Sequence, residues 1–205
     1  MSSAEDGTNL TFRCKCGAIQ ATLKGAPGQI MNCHCHSCVA SARCIESKPN
    51  FSGISVLDVG GVAYADFRWP NVNFTTLDTT LVEARDKISF VKVGDKGKFG
   101  RAYCTSCGTM LGIFIGWRGA ILNRNAIFNR DGSPYESSTS VNNIMLWFGF
   151  DPSKVPQLAY NFVPLGMAIS FIPLLLGLVE KKETKDSALF PIDMSSVEVV
   201  PITWE

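Results

Sequence analysis

The chain has 205 residues, enough for one domain with a real core, and its 46% apolar and 18% charged content is that of a folded globular protein. Its 19 Lys and Arg against 18 Asp and Glu leave a formal charge of +1, so no basic field exists to hold a phosphate backbone, and nucleic acid is set aside as a partner. Residues Met1 to Gly7 are small and acidic, without the basic and apolar regions of a secretory signal, so the expected location is cytoplasmic.

Taken in order, the first nine residues are polar and expected to be flexible. Leu10-Thr11-Phe12 then leads into Cys14-Lys15-Cys16 at a strand end. Ile19, Ala21 and Leu23 alternate with Gln20 and Thr22, the period of a half-buried strand, and Lys24 to Gly28 ends it. Gln29 to Asn32 delivers the chain to Cys33-His34-Cys35-His36-Ser37-Cys38, which holds three thiols and both histidines of the protein. Cys44 stands alone. A strand is predicted at Ile54 to Val59 and a turn at Gly60-Gly61. Tyr64, Phe67, Trp69 and Phe74 are read as packing residues of loops and short strands, with a ligand wall as the alternative.

Ile88 to Val93 alternates again, and Phe99 to Tyr103 runs into Cys104-Thr105-Ser106-Cys107. Gly108 then permits the left-handed backbone that closes a C-x-x-C-G knuckle, and Met110 to Trp117 reads as an apolar strand. Arg130 to Pro134 is a turn and Ile144 to Phe150 a short apolar run. From Val155 to Val179 no residue is charged, but Pro156, Pro164 and Pro173 argue against one spanning helix. Short apolar helices are expected there, in the core, covering a pocket, or docking to a membrane or to a second subunit of a homo-oligomer. Val197 to Ile202 has the alternation of a late edge strand. The fold class is mainly β, organised as a flexible N-terminus (1–9), a zinc-binding β domain (10–150) and a C-terminal extension (151–205) packed on the same domain.

Seven of the eight cysteines fall in three tight groups. In a reducing compartment, C-x-C and C-x-x-C spacings are better explained by metal than by disulfides. Zinc takes thiolate and imidazole ligands in sets of four, so seven thiols suggest one complete four-sulfur site and one incomplete site. Cys44 is the competitor that would close the second site and make it purely structural.

Cys14-x-Cys16-Gly17, Cys33-His34-Cys35-x-x-Cys38 and Gly100-Arg101-Ala102-Tyr103-Cys104-x-x-Cys107-Gly108-Thr109-x-Leu111 together resemble the glutathione-dependent formaldehyde-activating enzyme family, which includes centromere protein V-like domains. The resemblance covers Phe12 to Ala42 and Ile88 to Trp117. It implies a zinc-stapled β-tent fold with two zinc ions, one structural on Cys14, Cys16, Cys104 and Cys107, and one catalytic on Cys33, Cys35 and Cys38 with an open fourth position. It further implies a carbon–sulfur lyase related to S-(hydroxymethyl)glutathione synthase, adding a thiol such as glutathione to formaldehyde or another carbonyl substrate. His34 or His36 would move the proton. Arg43 or Arg101 would hold a substrate carboxylate. The alternative is a non-catalytic zinc module of the same fold that uses its surface for a partner.

Overall fold

The structure is a computed structural model and is described here over residues 9–68, 72–74, 86–95, 100–115, 119–137, 140–144, 159–160 and 197–201. Its elements in order are β1 (Asn9–Arg13), β2 (Gln20–Lys24), β3 (Gln29–Cys33), α1 (His36–Glu46), β4 (Leu57–Asp58), β5 (Gly61–Arg68), β6 (Val72–Phe74) and β7 (Ile88–Val93). There follow β8 (Arg101–Cys104), β9 (Met110–Ile115), β10 (Gly119–Asn123), a 3-10 turn (Arg124–Ala126), β11 (Ile127–Phe128), β12 (Asn142–Ile144), β13 (Ala159–Tyr160) and β14 (Glu198–Val200). The protein is mainly β, as its alternating segments predict.

Two sheets carry these strands. The small sheet has the order β11-β1-β2-β6, and the large one β13-β12-β3-β5-β10-β9-β8-β7-β14, with β4 beside β5. In the small sheet Phe12 faces Ala21 and Leu10 faces Leu23 across the β1–β2 pair, so one side is wholly apolar. That side packs on Ala65, Phe67, Ala102, Ala120 and Leu122 of the large sheet, and the alanines let the two sheets approach closely. The opposite face of the large sheet holds Met31, Val62, Tyr64, Val91 and Ile113, and is covered by Val39, Ala42 and Ile45 of α1. The molecule is thus layered as small sheet, large sheet and helix, with an apolar core on each side of the large sheet.

Several expectations are corrected. The segment containing Tyr64 and Phe67, read as loops and short strands, is the eight-residue central strand β5. Every residue from Gly61 to Phe67 is buried, so the apolar–polar alternation that marks a strand with one wet face never develops. The strand predicted at Ile54 to Val59 shrinks to β4. The Ile54 N–H goes to Thr109 Oγ1 and the Val56 N–H to Glu46 Oε1, so side chains take the bonds a ladder would have used. Helix α1 was not anticipated, because the cysteines drew that stretch into a metal-knuckle reading. Its buried Cys38, Val39, Ala42 and Ile45 nevertheless recur at helical spacing.

Val197 to Ile202 does supply an edge strand, since β14 runs parallel to β7 at the end of the large sheet. Within the apolar span 155–179, Ala159–Tyr160 forms β13, parallel to β12, where short helices were expected. The rest of that span lies outside the described residues, as do 1–8 of the expected flexible N-terminus and Trp69. No helix among the described residues is long and apolar enough to cross a membrane.

The β4–β5 hairpin turns through Val59 and Gly60, both at positive φ (46° and 79°). A two-residue hairpin of this kind prefers Asn-Gly, and a β-branched residue there is strained. Val59 is 56% exposed and contributes little to the core. Val59→Asn is therefore expected to stabilise the protein by about 1 kcal/mol in a denaturant titration.

Candidate metal centres

The strands deliver seven thiols to two places, one on each side of the large sheet. Cys14 and Cys16 follow β1, and Cys104 and Cys107 follow β8. Their four sulfurs lie within 4.8 Å of one another, and Cys14, Cys104 and Cys107 are buried in the core between the sheets. Cys33, Cys35 and Cys38 form the second group, also within 4.8 Å, in the core under α1.

Both groups have the spacing of ligands rather than disulfides. The Sγ separations are 3.4 Å for Cys14–Cys16, 3.7 Å for Cys16–Cys104 and 3.4 Å for Cys33–Cys35, and all eight cysteines are free thiols. A disulfide needs about 2.05 Å. Thiolates bound at about 2.3 Å around a tetrahedral ion sit about 3.8 Å apart. The sulfurs are therefore already arranged for a shared cation.

The local backbone explains the four-thiol group. Gly17 and Gly108 both adopt left-handed φ, 76° and 75°, which lets each pair fold back on itself. Gly17 N–H donates to Cys14 O (3.1 Å) and Gly108 N–H to Cys104 O (2.8 Å), closing two knuckles, while Ile19 N–H points at Cys14 Sγ (3.3 Å). Thr109 locks them together. Its fully buried hydroxyl accepts from Lys15 N–H (3.2 Å) and Ile54 N–H (3.0 Å) and lies 3.2 Å from Cys107 Sγ. Thr109→Val keeps the shape but orphans both donors, and is expected to cost about 2 kcal/mol in thermal or chemical unfolding.

The three-thiol group is built by the passage from β3 into α1. Cys33 ends β3, Cys35 is the N-cap residue of α1, and the N–H groups of Cys38 and Val39 both bond to Cys35 O (3.0 and 3.1 Å). Cys35 and Cys38 thus occupy the first turn of a helix, whose positive end favours thiolate. Arg101, 7% exposed, enters from β8: its Nη2 donates to Ser37 Oγ at 3.0 Å and lies 3.9 Å from Cys38 Sγ.

Electrostatics show what each cluster lacks. Hydrogen bonding with Cys33, then with Cys38, drives the Cys35 thiol down to about 2, and the same contacts push Cys33 far up. The bond with Cys33 lowers Cys38, but the Cys35 contacts and burial together outweigh it and bring the thiol up to about 11. In the four-thiol group the Cys14 contact brings Cys104 down to about 5, while the Cys104 contact raises Cys14. In each group, packing the sulfurs together lowers one thiol at the expense of another. A divalent cation removes that conflict by letting every sulfur ionise, and soft thiolates suit such an ion.

The other site candidates separate clearly. Cys44 is six residues beyond Cys38 on α1, about 9 Å along the axis, and its sulfur points to Glu198 Oε1 (4.0 Å). It does not belong to the three-thiol group. His34 is 1% exposed, its Nε2 lies 3.1 Å from Asn143 Oδ1, and its ring covers Gly61 so closely that an added Cβ would come within 2.8 Å of Cε1. His36 opens α1 between two of the thiol residues. Arg43 is exposed in the last turn of α1, whereas Cys38 is buried in the first. Arg101, not Arg43, is the arginine brought to the sulfurs.

Thr109 and Ser37 were not singled out as site residues by the sequence, and Tyr64 was read as a packing residue with a ligand wall as the alternative. The Tyr64 hydroxyl, on β5, is 2% exposed and has no hydrogen-bond partner among the described residues. Tyr64 packs in the same core as Cys33 and Cys38, and burial first, then the neighbouring Cys38, raise its phenol well above the ordinary tyrosine range. No family model matches the chain, and no curated protein matches it.

Proposed function

We propose that the protein is a two-zinc enzyme of carbon–sulfur lyase type on a β-tent scaffold, acting on a thiol adduct or a carbonyl compound. The observation that carries this reading is the contrast between four sulfurs in one cluster and three in the other, with Cys44 turned towards Glu198 rather than towards the three. A closed four-thiolate site is structural, whereas catalytic zinc keeps a position for water or substrate. Cys14, Cys16, Cys104 and Cys107 would hold the structural ion, and Cys33, Cys35 and Cys38 the catalytic one. Bound there, zinc would supply Lewis acidity, favouring the thiolate form of an incoming thiol and polarising a carbonyl.

The chain's own groups do the rest. Arg101 offsets the negative charge of the three sulfurs, and the apolar floor of Met31, Val62 and Ile113 keeps the site dry. His36 would pass a proton between the substrate oxygen and solvent, because it opens α1 between Cys35 and Cys38 and is part-exposed, whereas His34 is 1% exposed and bonded to Asn143. His34 instead fixes the end of β3 against β12 and so orients Cys33 and Cys35.

The test is equilibrium exchange NMR of glutathione with formaldehyde in the presence of the zinc-loaded protein. Exchange between free thiol and hydroxymethyl adduct should accelerate by at least about a hundredfold over buffer, and Cys35→Ser should remove that acceleration. No acceleration with this or larger aldehydes, from a protein carrying two zinc ions, would reject the enzyme reading in favour of a zinc module that serves a partner.

A further inference from the structure

Arg101 and Tyr64 reach the three-thiol centre from the large sheet, and holding a metal requires neither. The β5–β10–β9–β8 register sets Arg101 in line with Ile113, Ile121 and Asp66, so Arg101 and Tyr64 project from the same face, the one under α1. Arg101 touches Cys38 and Ser37, and Tyr64 packs in the same buried core as Cys33 and Cys38, its hydroxyl without a hydrogen-bond partner among the described residues. A buried cation and a buried O–H donor therefore share the face of the sheet against which the sulfur cluster packs.

We propose that Arg101 and Tyr64 are specificity-determining residues that select a singly charged anionic ligand, such as a small-molecule thiolate, over a neutral one for the fourth position of the three-thiol centre. This rests on the reading of that centre as an open metal site. Three thiolates on a divalent ion leave one net negative charge, which would by itself repel an anion. Arg101 cancels that charge within the same buried space. The site can then accept one anion and end with a single negative charge, as it would have had without either. The Tyr64 O–H adds direction: a donor without an acceptor gains a hydrogen bond from an anionic ligand atom that a neutral nitrogen ligand, its lone pair spent on the metal, does not offer.

Cobalt(II) loaded into the full chain tests this, because its visible absorption reports metal in sulfur-rich sites without any turnover. Azide serves as the anionic probe and imidazole as the neutral one. The wild type should bind azide more tightly than imidazole. Tyr64→Phe and Arg101→Gln should each weaken azide on the order of tenfold while leaving imidazole within about twofold. Tyr64→Phe should also melt no lower than wild type, since the hydroxyl it removes has no partner among the described residues. That variant decides the matter even if Arg101→Gln fails to fold through loss of its bond to Ser37. An unchanged azide-to-imidazole ratio in cobalt-loaded Tyr64→Phe overturns the proposal alone. Failure of the wild type to bind a second cobalt per chain overturns it together with the open-metal reading.

Discussion

Cys104→Ser is expected to leave the protein without a cooperative unfolding transition, not merely to lower its melting temperature. Cys14 and Cys16 hang from the small sheet and Cys104 and Cys107 from the large one, so the four-thiol centre joins two layers across 88 residues of sequence between Cys16 and Cys104. Apparent binding energies of structural zinc are about 10–16 kcal/mol, while a domain's whole stability is about 5–15 kcal/mol. On the proposed reading of this centre as a structural zinc site, losing one of four ligands therefore removes a quantity comparable to the total. Circular dichroism during chelator or urea titration, with metal content measured on the same samples, reads this directly. A sigmoidal transition close to that of the wild type would mean that the apolar core between the sheets holds alone. Cys35→Ser should behave differently, losing one metal ion and keeping the fold, because β3 and α1 are also held by Val39, Ala42 and Ile45.

The contrast between the two centres also explains what was legible in the sequence. C-x-C and C-x-x-C spacings are local constraints, so the grouping into seven clustered thiols and one outlier survives into three dimensions unchanged. Strands with one wet face, such as β2, announce themselves by alternation, as does the edge strand β14. The central strand β5 does not, because burial on both faces erases the period. Helix α1 has an ordinary apolar stripe, but its first turn is made of metal-site residues whose chemistry dominates the reading. Tyr64 is separated from Cys38 by 26 positions and comes to it only through the β3–β5 pairing and the fold of α1 over the sheet. Nothing in a single sequence distinguishes it from any other core tyrosine. Arg101 was visible as a neighbour of Cys104, yet the alternation of β8 sends its side chain to the other face, away from the nearest cysteines and onto Cys38.

That same alternation makes Gly112 a position on which both centres depend. It lies in β9 at φ 144°, where side chains are rarely tolerated, and a Cβ built there would overlap the Ile121 carbonyl oxygen and come within 2.9 Å of Leu122 Cα. Both obstacles are backbone of the adjacent strand β10, so no rotamer change relieves them. Gly112 also pairs with Ala102 on the other side, between Arg101 and Tyr103, next to the register shift in β8. Displacing β9 would move Arg101 on the face under α1 and Cys104 on the face under the small sheet. Gly112→Ala is therefore expected to cost at least about 3 kcal/mol, more than deleting a buried hydrogen bond. It should also weaken metal retention at both centres, although no ligand has been changed. Native mass spectrometry with a stepwise chelator challenge would read this as parallel loss of both ions. Retention of both at wild-type chelator concentrations would show that β9 yields without disturbing its neighbours, and that the two centres are not coupled through the sheet.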